Sequence, residues 1–525
     1  MNINTSKKNI VIFSYSILII FFIVDFNLLK NHKFQGKLTW DGVDYAHSAE
    51  KGIYENIFEL ESLSFVKFLQ IGFIKLNSEN KKKVEFNKLK FNDQKEDVFH
   101  LRHFHPPLSS IYWSFFTDEN KLSQDDKLKK SLKFLSYFIF LVLFFFIAKN
   151  NFNNFNINIL FLVIFFYSDL VNTIYGNLNY HLFFSLCFLL YLISFLRLIN
   201  NFNLLNSLIF SLCLFLLFFS LETAIFVLIG LPISFFLFKK HIKIKYKYVF
   251  IIIFFTSCLL IILWPANLYN FSIAKTYLMY AFRIFVDSNV EYSDISYLLF
   301  YKSLFRNNLI LFFSILIFIL FALYNFKYSI NNKKFVFIFL HSLIYFLIIF
   351  PFTVHQNYIF PSILILFLGI LYYFNGISIK NRIIKILSIP ISILILLTHN
   401  SYSADNDYKL NKDNIDLTID VINLYNDNSE ILIDGGHIFR YYSDYSYIID
   451  LYLFDAFNPQ FYVRENYTNV RVNKKIEDKY YSIIIIQKNR NYSKEQLTFI
   501  TNSGYFIIKN TAYHIFVRKN FENEN

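Results

Sequence analysis

Charge is scarce in this chain, and so are the residues that break or staple a fold. Only 17% of the 525 residues are Asp, Glu, Lys or Arg, well below the roughly 25% of a soluble domain, while 55% are hydrophobic. That balance argues against a soluble globular enzyme. Glycine (11) and proline (8) are too few for a collagen-like or linker-dominated chain. Nothing repeats at a period of about 20 to 50 residues, which removes solenoids and propellers. The three cysteines, Cys187, Cys213 and Cys258, all stand in apolar runs, so the polar segments carry neither a disulfide nor a cysteine-based metal site. What abounds is Phe (69) and Tyr (38), with much Ile, Asn and Lys. These residues share AT-rich codons, so the positions that lack charge say more than the identity of the apolar residue that fills them.

A helix needs about 20 largely apolar residues to cross a hydrocarbon core of roughly 30 Å. Eleven windows meet that need: 9–29, 131–148, 157–175, 179–196, 203–220, 222–238, 249–265, 308–325, 335–352, 359–375 and 383–398. The first follows Lys7 and Lys8 and ends without a small-residue cleavage site, so it reads as an anchor with the N-terminus cytoplasmic. Alternation then puts five loops on the cytoplasmic side, and these hold Lys149, Arg197, a cluster from Lys239 to Lys247, Lys327 with Lys333 and Lys334, and Lys380 with Arg382 and Lys385. The short loops on the other face (176–178, 220–222 and 353–358) contain no Lys or Arg. This is the positive-inside pattern, and it gives an odd number of spans. The net charge of +13 (51 basic against 38 acidic residues) is thereby topology, and not a nucleic-acid footprint.

The expected architecture is an all-α polytopic membrane protein of about 11 transmembrane helices over residues 1–398, with a small α/β domain over 399–525. External loops fall at 30–130 and 266–307. In the tail, strand-like runs at 430–434, 447–450, 480–487, 505–508 and 514–517 surround a helical stretch at 493–502. Asp434-Gly435-Gly436 after the first run predicts a tight turn.

Chemistry concentrates in the first external loop. Asp41 precedes a segment whose Tyr45, Ala49 and Ile53 recur at helical spacing. It reads either as the helix cap or as a carboxylate near the membrane surface, where partial desolvation tunes a general base. Asp44 is a second acid beside it. Further on stands Arg102-His103-Phe104-His105-Pro106-Pro107-Leu108. The prolines fix the backbone and make the residue before them extended, and guanidinium and imidazole groups suit a phosphate. Lys275 and Arg283 in the second loop, His355 before a late span, and Glu222 and Asp169 at span ends complete the candidates; an ionisable group near the bilayer is a functional suspect by default. Tyr277 to Phe285 reads as an interfacial helix. His341 lies within a span and reads as a hydrogen-bonded packing residue.

The acidic residue in the first external loop, the Tyr45-Ala46 pair with Ala49, and His105-Pro106-Pro107-Leu108 together resemble the membrane glycosyltransferases of the GT-C fold, above all the protein O-mannosyltransferases and the aminoarabinose transferases of lipid A. His355-Gln356-Asn357-Tyr358 is similar to the family's basic-x-x-Tyr segment. Gly42 departs from the family, which often has a second acid there, and Asp44 follows two positions later. The resemblance covers about residues 10–375. It implies a sugar donor on dolichyl or undecaprenyl phosphate and an envelope acceptor (lipid, polysaccharide or protein). It makes Asp41 the general base of an inverting transfer, with Asp44 as the second catalytic carboxylate. Arg102, His103, His105, Glu222, Arg283, His355 and Tyr358 become contacts to substrate and carrier phosphate. Arg and His can hold the leaving phosphate themselves, so no cofactor is required; a divalent cation is left open but not obligatory, and no cluster has the spacing of metal ligands. The localisation implied is the cytoplasmic (inner) membrane, with the site and the C-terminal domain extracytoplasmic. The rival readings are a transporter or flippase, a ligase that uses a carrier pyrophosphate, and a non-catalytic envelope protein.

Overall fold

In the computed structural model the charge-free runs are helices. The structure describes residues 41–54, 106–150, 154–174, 178–221, 223–238, 246–263, 297–349, 356–376, 382–398, 409–425, 431–433, 448–450, 474–487, 494–509 and 513–518, with Leu38 and a few positions before residue 30. Most of the first expected span, and the whole of the interfacial helix at 277–285 and the turn at 434–436, lie outside the described residues.

Among the described residues two short helices, α1 (Asp41–Glu50) and α2 (Leu108–Trp113), precede the helical body. The body runs α3 (Lys121–Asn150), α4 (Phe155–Phe166), α5 (Asp169–Thr173), α6 (His181–Asn200), α7 (Leu204–Phe218), α8 (Ala224–Val227), α9 (Gly230–Phe238) and α10 (Tyr246–Leu263). It continues through α11 (Tyr297–Asn307), α12 (Leu309–Tyr324), α13 (Phe326–Asn331), α14 (Lys333–Ile349), α15 (Gln356–Gly376) and α16 (Arg382–Thr398). Helix α15 is the hub, packing on α14, α6, α4 and α3. Its buried Phe360 and Phe367 lie 5.7 and 4.8 Å from Phe165 of α4, ring centroid to centroid.

Among the described residues three stretches are long and apolar enough to cross a membrane: His181–Asn200, Tyr246–Leu263 and Asn357–Phe374; Tyr301–Asn307 with Leu309–Tyr324 makes a fourth if that bent pair is one span. The windows 203–220, 335–352 and 383–398 hold helices of 15 to 17 residues, and two further windows are broken. The window at 157–175 stops at Tyr167-Ser168, where the Ser168 hydroxyl turns back to donate to the Phe165 carbonyl at 2.7 Å. The window at 222–238 breaks at Leu228-Ile229, with Leu231 N–H bonding to Leu228 O in place of an α-helical partner. Pro232 has no N–H to give to the Leu228 carbonyl, so a continuous helix would lose that bond. In the other direction α3 starts ten residues before its expected span. The three cysteines are free, as their apolar settings predict.

The tail matches its expected elements closely. Helix α17 (Lys409–Tyr425) is followed by β1 (Ile431–Ile433), β2 (Ile448–Asp450), β3 (Ile483–Gln487), α18 (Lys494–Asn502), β4 (Tyr505–Lys509) and β5 (Tyr513–Arg518). The sheet order is β2-β1-β3-β5-β4, parallel among the first three and antiparallel at β3-β5-β4. Alternation along the strands buries both faces. Leu432, Ile484, Ile486 and Phe516 join Ile500 of α18 on one side, while Phe506 meets Tyr425 of α17 on the other.

Candidate functional site

Helix α1 begins at Asp41 itself, earlier than the spacing predicts, so Asp41 and Asp44 both lie in its first turn, three residues apart. Carboxylates are favoured there because the free N–H groups of a helix start carry partial positive charge. The helix ends through Gly52, whose φ of 75° is the left-handed conformation that glycine adopts without strain.

The buried stripe of α1 is not the expected one. Val43, Tyr45, Ala46 and Ala49 are buried, whereas Ile53, the expected third member, is 41% exposed. Two alanines in the stripe let α1 lie close to α2. Tyr45 is the anchor: its ring sits 5.8 Å from Trp113 and 4.3 Å, edge-on, from Tyr180. Trp113 and Tyr180 are themselves 5.4 Å apart, closing a three-ring cluster. The far end of α1 is held by Glu50, whose Oε1 accepts from Gln124 of α3 at 2.5 Å, with His47 Nδ1 3.4 Å from Oε2.

Helix α2 follows Pro106 and Pro107, both buried. The prolines set up its first turn, since Ile111 N–H donates to Pro107 O at 2.9 Å. Leu108 N–H donates to the Phe219 carbonyl at 3.2 Å, which ties the Pro-Pro segment to the turn that leads to position 222. Ser110 Oγ and Tyr180 Oη share a hydrogen bond of 3.2 Å, and the Tyr112 hydroxyl donates to Ser131 O at 2.8 Å. Burial pushes the Tyr112 phenol up to about 12, so it remains a neutral donor across the physiological range. Trp113 Nε1 and Ser109 Oγ are buried without a hydrogen-bond partner.

The same end of the body gathers two further groups. His181, first residue of α6 and next to Tyr180, has its ring 4.1 Å from that of Tyr358 on α15. Beyond position 222, Thr223 Oγ1 and Tyr345 Oη lie 3.1 Å apart, and Tyr345 packs on Phe184 of α6.

The helix bearing Asp41 and Asp44, the residues after His105, the two sides of position 222 and Tyr358 are thus linked through α6. Asp169 begins α5, is exposed, and sits on a helix that packs on α15. Arg102, His103, His105, Glu222, Lys275, Arg283 and His355 lie outside the described residues. Tyr180, His181 and Trp113 were not singled out by the sequence reading. The available signal was the polar and aromatic run Asn179-Tyr180-His181 at the mouth of an otherwise apolar window.

His341 departs from its expectation in one respect. Its Nδ1 meets the Phe337 carbonyl at 3.0 Å, but Nε2 is buried without a partner. That nitrogen faces Gly230, where an added Cβ would lie only 2.2 Å from it. Among the described residues no group of three His, Cys, Asp or Glu side chains could hold a metal ion. No protein-family model matches the chain, and no curated protein matches it either.

Proposed function

We propose that the protein is a GT-C-type membrane glycosyltransferase that moves a sugar from a polyprenyl-phosphate carrier to an envelope acceptor. The observation that carries this reading is the packing of α1 on α2 through Tyr45, Trp113 and Tyr180, which makes neighbours of the acidic motif and the Pro-Pro motif despite their distance in sequence. In this scheme Asp41, assisted by Asp44, takes the proton from the acceptor hydroxyl as its oxygen attacks the sugar C1. The C1–O bond to phosphate breaks with inversion. The departing phosphate is held by Arg102, His103, His105, Arg283 and His355, with Glu222 and Tyr358 on the substrate. Eleven spans, a cytoplasmic N-terminus and an extracytoplasmic site in the cytoplasmic membrane complete the proposal. No cofactor is needed for these roles.

The test is sugar transfer from polyprenyl-phosphate donors to endogenous acceptors in membranes, comparing Asp41→Asn with wild type at matched folded protein. Asn keeps the size and capping ability of Asp but takes no proton. Transfer falling by roughly a hundredfold or more is expected for a lost general base. Equal transfer by the two proteins, or none by wild type from any carrier, overturns the reading.

A transporter is the second reading, favoured by one observation. The α8–α9 break beside His341 puts an interrupted helix and an ionisable side chain together inside the body, the arrangement that substrate sites of transporters use. It predicts carrier-independent flux that His341→Phe abolishes and Asp41→Asn leaves intact.

A further inference from the structure

Helix α11 meets α12 at 93°, with Asn308 between them. The elbow is built rather than loose. Asn308 is 5% exposed, its Oδ1 accepts from Leu170 N–H at 2.6 Å, and its Nδ2 donates to Leu304 O at 3.0 Å. Beyond the elbow, α12 turns Ile310, Phe313, Ile317 and Leu320 outward, each more than half exposed. An apolar helix of this kind facing away from the protein belongs in hydrocarbon. If α12 runs through the bilayer, a helix at right angles to its end lies along the bilayer surface.

The faces of α11 agree with that placement. Tyr301 and Leu304 turn toward the protein with Asn308, at i, i+3 and i+7. Phe305 turns down the side of α12, with its ring 5.6 Å from Phe312 and 6.1 Å from Phe313. Lys302 and Arg306, one turn apart, occupy the side left over, facing away from the protein. Both are exposed, and among the described residues neither has an acidic partner.

We infer that Lys302 and Arg306 form a binding site for the phosphate of an anionic phospholipid in the adjoining leaflet. Arg supplies a fork that takes phosphate oxygens in pairs, and Lys supplies a point charge beside it. Phe305 fixes the depth of the helix by entering the acyl region. The inference does not depend on the glycosyltransferase reading.

The experiment uses the full chain in nanodiscs of phosphatidylglycerol mixed with phosphatidylcholine, with retained lipids counted by native mass spectrometry after release. Wild type is expected to keep phosphatidylglycerol over phosphatidylcholine, and Lys302→Gln with Arg306→Gln to lower that preference roughly tenfold or more, since each cation near an anionic surface is worth about fivefold in affinity. Lys327→Gln, on a different helix, serves as the charge control and is expected to leave the preference intact. Inorganic phosphate at millimolar concentration is expected not to compete. An unchanged preference in the double variant, an equal loss in the control, or competition by free phosphate overturns the lipid site. Both side chains are exposed, so the double variant should melt with wild type; if it does not, charge reversal at Arg306 alone gives the same readout.

Discussion

Helices α6 and α10 have the same mean hydropathy, 2.3, over their best windows, yet 72% of the first window is buried within the protein and only 11% of the second. Hydropathy reports that a segment can enter a bilayer, not whether it will face lipid or protein. The partners decide. Helix α6 touches α3, α7 and α15, whereas α10 packs chiefly on α7 and leaves Phe250, Ile253, Phe254 and Ile262 more than half exposed. Among apolar residues in a bilayer the gain from helix contact comes from fitted packing, because lipid chains are as apolar as the side chains they replace. The rings around α15 have such a fit, and the outward rings of α10 do not.

The sharpest way to break this comparison is to remove one ring from each region. Phe367 of α15 is 1% exposed and lies 4.8 Å from Phe165 and 6.3 Å from Phe161. Phe367→Ala should destabilise the protein by about 3–5 kcal/mol, read as a lower midpoint of thermal unfolding in detergent. Next in size is Gly230→Ala, which drives a methyl group into the His341 ring and should cost about 1–3 kcal/mol. Adding His341→Ala should restore part of that loss, because the two positions share one contact. Phe254→Ala on α10, 59% exposed in the wild type, should stay within about 0.5 kcal/mol. A loss there as large as that at Phe367 would mean that α10 has a protein partner on its outer face.

The smallest effect is electrostatic and lies outside both regions. Asp118, at the surface before α3, is held down to about 2 by Lys127, by the Ser123 hydroxyl and by the Asn120 N–H. A carboxylate lowered in the folded state adds stability above its ordinary range, and that contribution disappears as pH falls through about 2. Acid titration of thermal stability should therefore show a slight decline below pH 4 that Asp118→Asn lacks.

Much of the scaffold was legible because charge-free runs and strand alternation are local properties. The five strands and the α18 helix of the tail fall where their apolar runs stand, and so do α6, α7, α10, α12 and α15. The breaks at Tyr167-Ser168 and Leu228-Ile229 were not read, although Gly230 and Pro232 marked the second. A window average smooths over two residues whose backbone departs from a helix. In the site, Tyr45 and Ala49 could be placed on one face from spacing alone. Their partners Trp113 and Tyr180 could not, because nothing in the linear order says which distant aromatic residues will meet. Ile53 was misread for the complementary reason: Gly52 turns the chain before it, so the helical stripe ends at Ala49.

The Asn308 side chain has a mechanical consequence. Through one amide it fastens the start of α5 to the elbow of α12, and α5 lies on the same helix that carries Tyr358. The elbow and the start of α5 are thus one joint, set by a single buried side chain.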